Sequence, residues 1–66
     1  MISIMYGIGQ DEIEVWGNVP REILERIPGV RCVVKSDHWH VLAKPNPGRD
    51  VVARRILDLG GGRWES

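Results

Sequence analysis

Phenylalanine is missing from this chain, cysteine and tyrosine occur once each, and charge of neither sign is in excess. Each absence excludes something. A lone cysteine cannot build a disulfide framework within one chain. Nine Lys and Arg against nine Asp and Glu leave a formal net charge of zero at pH 7, which removes the global electrostatic reason to expect a nucleic-acid partner. No apolar run approaches the about 20 residues of a membrane span, so no membrane partner is expected. The start, MISIMYGIG, lacks a basic leading segment, a long apolar centre and a small-residue cleavage site, so it does not read as a signal peptide. With Cys32 at an inward-reading strand position as a small buried hydrophobe, a cytoplasmic protein is the expectation.

Length sets the next bound. A chain of 66 residues is one domain, and such a chain buries only about 60% of the surface its unfolded form exposes. A core worth about 3 to 5 kcal/mol, with no disulfide to add to it, makes pairing with a second copy a natural source of stability. A homodimer is therefore expected.

Charge is unevenly placed along the chain. Residues 1–29 hold five acidic and two basic side chains, and residues 30–66 hold seven basic and four acidic ones. The chain is electrically two-ended, which suits an anionic ligand on one side or head-to-tail self-association.

The periodicities give the architecture. Ile2, Ile4, Tyr6 and Ile8 alternate with Ser3, Met5 and Gly7, which predicts a first strand over 2–7. After a Gly-rich turn, Ile13 and Val15 face inward while Glu12, Glu14 and Trp16 face outward. Asn18, Val19 and Pro20 read as a cap and first-turn proline, and Val19, Ile23, Leu24 and Ile27 form one helical face that Pro28 and Gly29 end. In the second hairpin, VRCVVK-SD-HWHVLAK, the alternation points Val30, Cys32, Val34, Trp39, Val41 and Ala43 inward. It points Arg31, Val33, Lys35, His38, His40, Leu42 and Lys44 outward. Beyond Pro45-Asn46-Pro47-Gly48, with Asn46 and Pro47 or Asp50 as starts, Val52, Ile56 and Leu59 form the stripe of a second helix. Ala53 and Leu57 lie at its margins and Gly60 is its stop.

The chain thus repeats hairpin, helix start, helix and glycine stop. A ββα unit cannot bury both its helix stripe and its sheet face alone, so two units side by side form the smallest core. The expectation is an α+β domain over residues 1–60, a ββαββα pseudo-repeat. It comprises a four-stranded antiparallel sheet with two helices on one face, and residues 61–66 form a mobile tail.

If helices cover one sheet face, the other carries the function. Met5, Trp16, Val33 and Leu42 would form its apolar centre, with Arg31, Lys35, Lys44, His38 and His40 around it, and such a patch marks a partner site. Trp16 is the expected anchor. A basic helix surface of Arg49, Arg54 and Arg55 is a second candidate. Protein association, with a second copy or a larger protein, tolerates the mixed charge of this face. Binding of single-stranded or branched DNA by stacking is the alternative, opposed by Glu12 and Glu14 beside the phosphates.

No catalytic constellation is found, so neither an enzyme nor a small-molecule substrate is expected, and no cofactor. Gly7-x-Gly9 opens no helix and lacks the Lys-Ser/Thr of a phosphate loop. His38 and His40 share one side of a strand, about 7 Å apart from two strand rises. A zinc site needs three or four ligands, and Cys32 reads to the other face, so no metal site is expected. The pair reads as solvent-facing imidazoles of the type that change charge near neutral pH.

Residues 13–59 hold a strand, LERIPGVR, a tryptophan-bearing hairpin SDHWHV, and then proline and VARRIL. In this order they resemble the HARP-type small N-terminal modules of DNA helicases and annealing helicases. The resemblance implies engagement of branched or single-stranded DNA, with Trp39, Arg31 and Lys35 as the matching positions. Compact chains of this size are also often regulatory accessory factors of phages or mobile elements, which act by binding a host protein or nucleic acid.

Overall fold

Alternating Ile and Val on short strands, punctuated by Gly and Pro, builds two hairpins that each hand the chain to a helix. The computed structural model describes residues 2–59, together with the backbone of residues 63–64. Its elements are β1 (Ser3–Tyr6), β2 (Glu12–Trp16), α1 (Arg21–Glu25), β3 (Val30–Lys35), β4 (Trp39–Ala43), α2 (Arg49–Leu57) and β5 (Arg63–Trp64). The ββαββα order and the four-stranded antiparallel sheet with two helices match the sequence expectation.

The sheet runs β3-β4-β2-β1, with β5 added parallel to β1 at the edge. The two hairpins meet through their second strands. Across that junction Ile13 faces Val41, Glu14 faces His40 and Val15 faces Trp39. A free tail was expected over 61–66; Arg63 and Trp64 instead pair with Ser3 and Ile4, while 61, 62, 65 and 66 lie outside the described residues.

One sheet face is dry. Ile4, Ile13, Val15, Val33, Val41 and Ala43 from the strands meet Val19, Leu24 and Ile27 around α1 and Val52, Ala53 and Ile56 from α2. Helix α1 packs on β3, and α2 lies across β1, β2 and β4. Helix α1 is shorter than the pattern suggested. Pro20, not Asn18, is its N-cap residue, the helix ends at Glu25, and Pro28 disfavours the helical conformation at Ile27. Ile23, expected on its inward face, is exposed.

In α2 the cap is Gly48 at φ 100°, Asp50 lies in the first turn, and Arg54 and Arg55 lie in the last turn, which suits the helix dipole. Ala53 is central to the inward stripe. Leu59, expected there, lies past the helix end and is exposed, and the expected stop at Gly60 falls outside the described residues. Ile8, read as the last inward residue of the first strand, stands in solvent at the β1–β2 turn.

The main departure from simple alternation is in β3. Val30 pairs with Ala43 but Cys32 pairs with Leu42, so the ladder absorbs an extra residue at Arg31. A bulge of this kind inverts the facing of everything after it. Val33 is therefore core, at 5% exposure, whereas Cys32 and Val34 face outward. Lys35 turns to the helix side, where its ammonium lies 4.4 Å from the Trp39 ring centre and the Arg21 guanidinium lies 5.3 Å from it.

Beyond the β2–β4 ladder, contacts at Gly29 and at Tyr6 help to join the halves. Gly29, at φ 98°, leaves no room for a side chain, since a Cβ would lie 2.8 Å from Pro47 and from Val52. Tyr6 donates its hydroxyl proton to Asp50, while the Arg49 guanidinium lies 3.6 Å from the Tyr6 ring centre and donates to Gly9 O at 2.9 Å. The start of α2 is thereby fastened to the first hairpin turn.

Candidate functional site

Both helices occupy one side of the sheet, so side chains on the other side must find partners among themselves. Strand β2 supplies Glu12, Glu14 and Trp16 there, β4 supplies His40 and Leu42, and the turn before β4 supplies His38. Met5 lies on the β1 flank, and Cys32 and Val34 lie on the β3 flank.

The cross-strand register sets Glu14 opposite His40 and Glu12 opposite Leu42. The polar contacts run along the diagonals, within the reach that neighbouring strands allow longer side chains. His38 Nε2 lies 2.7 Å from Glu14 Oε1, and His40 Nδ1 lies 2.5 Å from Glu12 Oε2. The rings are in contact too. Trp16 stacks on His38 with centroids 4.0 Å apart at 20°, and His38 and His40 are 4.5 Å apart at 33°. Trp16, His38, Glu14, His40 and Glu12 therefore form one continuous seam between the two central strands.

The seam is partly withdrawn from water. The imidazole and carboxylate side chains are 15% to 28% exposed, so the hydrogen bonds between them compete with less water than those of a fully solvated pair. Gly7 makes room for it: a Cβ there would lie 2.5 Å from Glu12 Cδ, so the Glu12 side chain occupies space that a side chain at residue 7 would fill. Glu14, His38 and His40 each place a ligand-type atom within a 4.8 Å group.

The expected binding residues separate into three groups. Met5, Trp16, His38, His40 and Leu42 share the uncovered face, with exposed Arg31 at the bulge and Lys44 just past β4 at its margin. Val33 does not join them, because the bulge buries it, and Lys35 lies on the helix side beside Trp39. The expected basic helix surface is largely committed to structure. Arg49 donates to the first turn, and Arg55 Nη1 donates to Pro28 O at 2.7 Å. Arg54 is exposed beside a shallow groove of about 300 Å³ lined also by Tyr6, Asp50, Ala53 and Leu57.

Sequence reasoning missed the partnership of Glu12 and Glu14 with the imidazoles, and the outward facing of Cys32 and Val34. Alternation had already placed the carboxylates outward; what it lacked was the β2–β4 pairing. In the groove, the hydrogen bond to Asp50, together with burial and the Asp50 charge, raises the Tyr6 hydroxyl pKa above its ordinary value, and Arg49 opposes this. Comparison with family models, curated proteins and solved structures finds no match to this chain.

Proposed function

We propose that the chain is a non-enzymatic binding module whose uncovered sheet face takes a protein partner, a second copy of the same chain first among them. The observation that carries this reading is the one-sided placement of both helices. It leaves Met5, Trp16, Val34 and Leu42 around the His/Glu seam without a covering layer among the described residues. Apolar side chains flanking a partly desolvated polar centre have the composition of a protein interface.

Nucleic acid ranks second. Glu12 and Glu14 stand in the middle of the face, where phosphates or stacked bases would have to lie, and the Trp16 ring is already stacked on His38. Capture of a larger protein in a regulatory role would use the same surface. A cytoplasmic site of action belongs to the proposal, supported by the exposed single thiol of Cys32, which a reducing compartment keeps free. Among the described residues no helix is long and apolar enough to cross a membrane.

Solution mass by light scattering, across protein concentration and salt and with or without short single-stranded DNA, tests the reading. The expected result is a concentration-dependent dimer indifferent to DNA and weakened by Trp16→Ala. A monomer that gains mass with DNA at low salt and loses it as salt rises would transfer the face to nucleic acid. A monomer under all conditions would remove self-association.

A further inference from the structure

The seam has a chemistry that interface formation does not use. We infer that Glu14, His38 and His40 form a binding site for one Zn²⁺ ion, with Glu12 as the group that orients His40. This inference rests on the seam alone and does not depend on the nature of the partner.

Three observations converge on it. The ligand-type atoms of Glu14, His38 and His40 already lie within 4.8 Å of one another. His38 Nε2 and Glu14 Oε1, now hydrogen-bonded at 2.7 Å, need only separate to the ~3.4 Å that bonds of about 2.1 Å and a tetrahedral angle require. Side-chain rotation supplies that movement, and the ion replaces the proton between them.

The second observation concerns His40. An imidazole that donates its Nδ1–H to the Glu12 carboxylate at 2.5 Å carries its lone pair on Nε2, the state in which it can ligate a metal. A carboxylate behind a ligating histidine fixes its tautomer and ring orientation and raises its basicity. The third is preorganisation: the stack on Trp16 at 4.0 Å holds the His38 ring in place before any ion arrives.

Charge and ligand type select the ion. Two carboxylates, one in the ligand set and one behind it, balance a dication. Two imidazoles favour zinc-like transition metals over Mg²⁺ and Ca²⁺, which prefer all-oxygen sites. Three protein ligands leave a fourth position for water, reachable because the seam side chains are 15% to 28% exposed. Cys32, although it lies on the same face, is not in the group.

The test is a titration of the intact chain with Zn²⁺, followed by calorimetry and by the ring ¹⁵N shifts of both histidines. One ion per chain should bind and shift Nε2 of His38 and of His40. His38→Ala and His40→Ala should each weaken binding at least ~10-fold, and Glu12→Gln by about 10- to 100-fold, the range typical of such supporting carboxylates. Cys32→Ser should leave it unchanged. Ring shifts of the unaltered chain need no variant to fold. The inference is overturned if millimolar Zn²⁺ moves neither ring, if Cys32→Ser abolishes binding, or if Mg²⁺ competes equally.

Discussion

The two faces of one sheet follow different rules. On the helix side β1, β2, β3 and β4 each contribute Ile, Val or Ala to the core, and identity matters through volume and shape. On the other side no layer covers the strands among the described residues, and identity matters through cross-strand neighbours: His38 lies diagonal to Glu14 and His40 to Glu12, while Trp16 stacks on His38. The covered face holds the core, and the uncovered face is the one we propose as the binding surface.

Removing volume from the covered face should have the largest effect. Ile13 is fully buried, so Ile13→Ala should cost about 2 to 5 kcal/mol, comparable with the whole margin of so small a domain. The variant should have lost most or all of its cooperative urea transition at 25 °C. Next comes Gly29→Ala, which places a Cβ against Pro47 and Val52 at a positive φ. It should destabilise by about 2 kcal/mol in the same assay.

Trp16→Ala sharpens the contrast between the faces. It should cost only about 1 kcal/mol of folding stability while weakening association by about 2 kcal/mol, roughly 30-fold, as removal of a central aromatic anchor does. Loss of the cooperative transition would instead make Trp16 a core residue.

Alkaline pH tests the margin where the first hairpin meets α2. Tyr6 has a folded-state pKa raised above 10.0 by its hydrogen bond to Asp50. A raised pKa means that the stabilisation is complete below the unfolded value and is lost as pH rises through the folded one. Denaturant midpoints should therefore fall above pH 10 in the wild type, and fall less steeply in Tyr6→Phe. Gly7→Ala should have the smallest effect, a few tenths of a kcal/mol. Its added methyl displaces Glu12, which should be seen as a change in the His40 ring resonances with the rest of the spectrum retained.

The same contrast decides what could be read in advance. Period-two alternation was enough to place Ile4, Ile13, Val15, Val41 and Ala43 in the core, and the need to cover two amphipathic helices was enough for the two-layer arrangement. Alternation failed in β3, because a bulge at Arg31 is set by how the ladder with β4 closes; one extra residue exchanged Cys32 for Val33 in the core. The seam was half legible. Alternation placed Glu12, Glu14, Trp16, His38 and His40 on one face, but which of them touch is set by the β2–β4 register, a long-range pairing that local patterns do not contain. Arg49 and Arg55 looked like free cations for a similar reason: the carbonyls that take their protons, Gly9 and Pro28, are distant in sequence.

The most direct test of the central claim, that the uncovered face is the working face, is a dilution series followed by backbone amide and Trp indole shifts of the wild-type chain. Dimer dissociation should move signals of Met5, Trp16, Val34, His40 and Leu42 and leave those of α1 and α2 in place. Shifts confined to the helix side, around Ile23 or Arg54, or no concentration dependence at all, would contradict it.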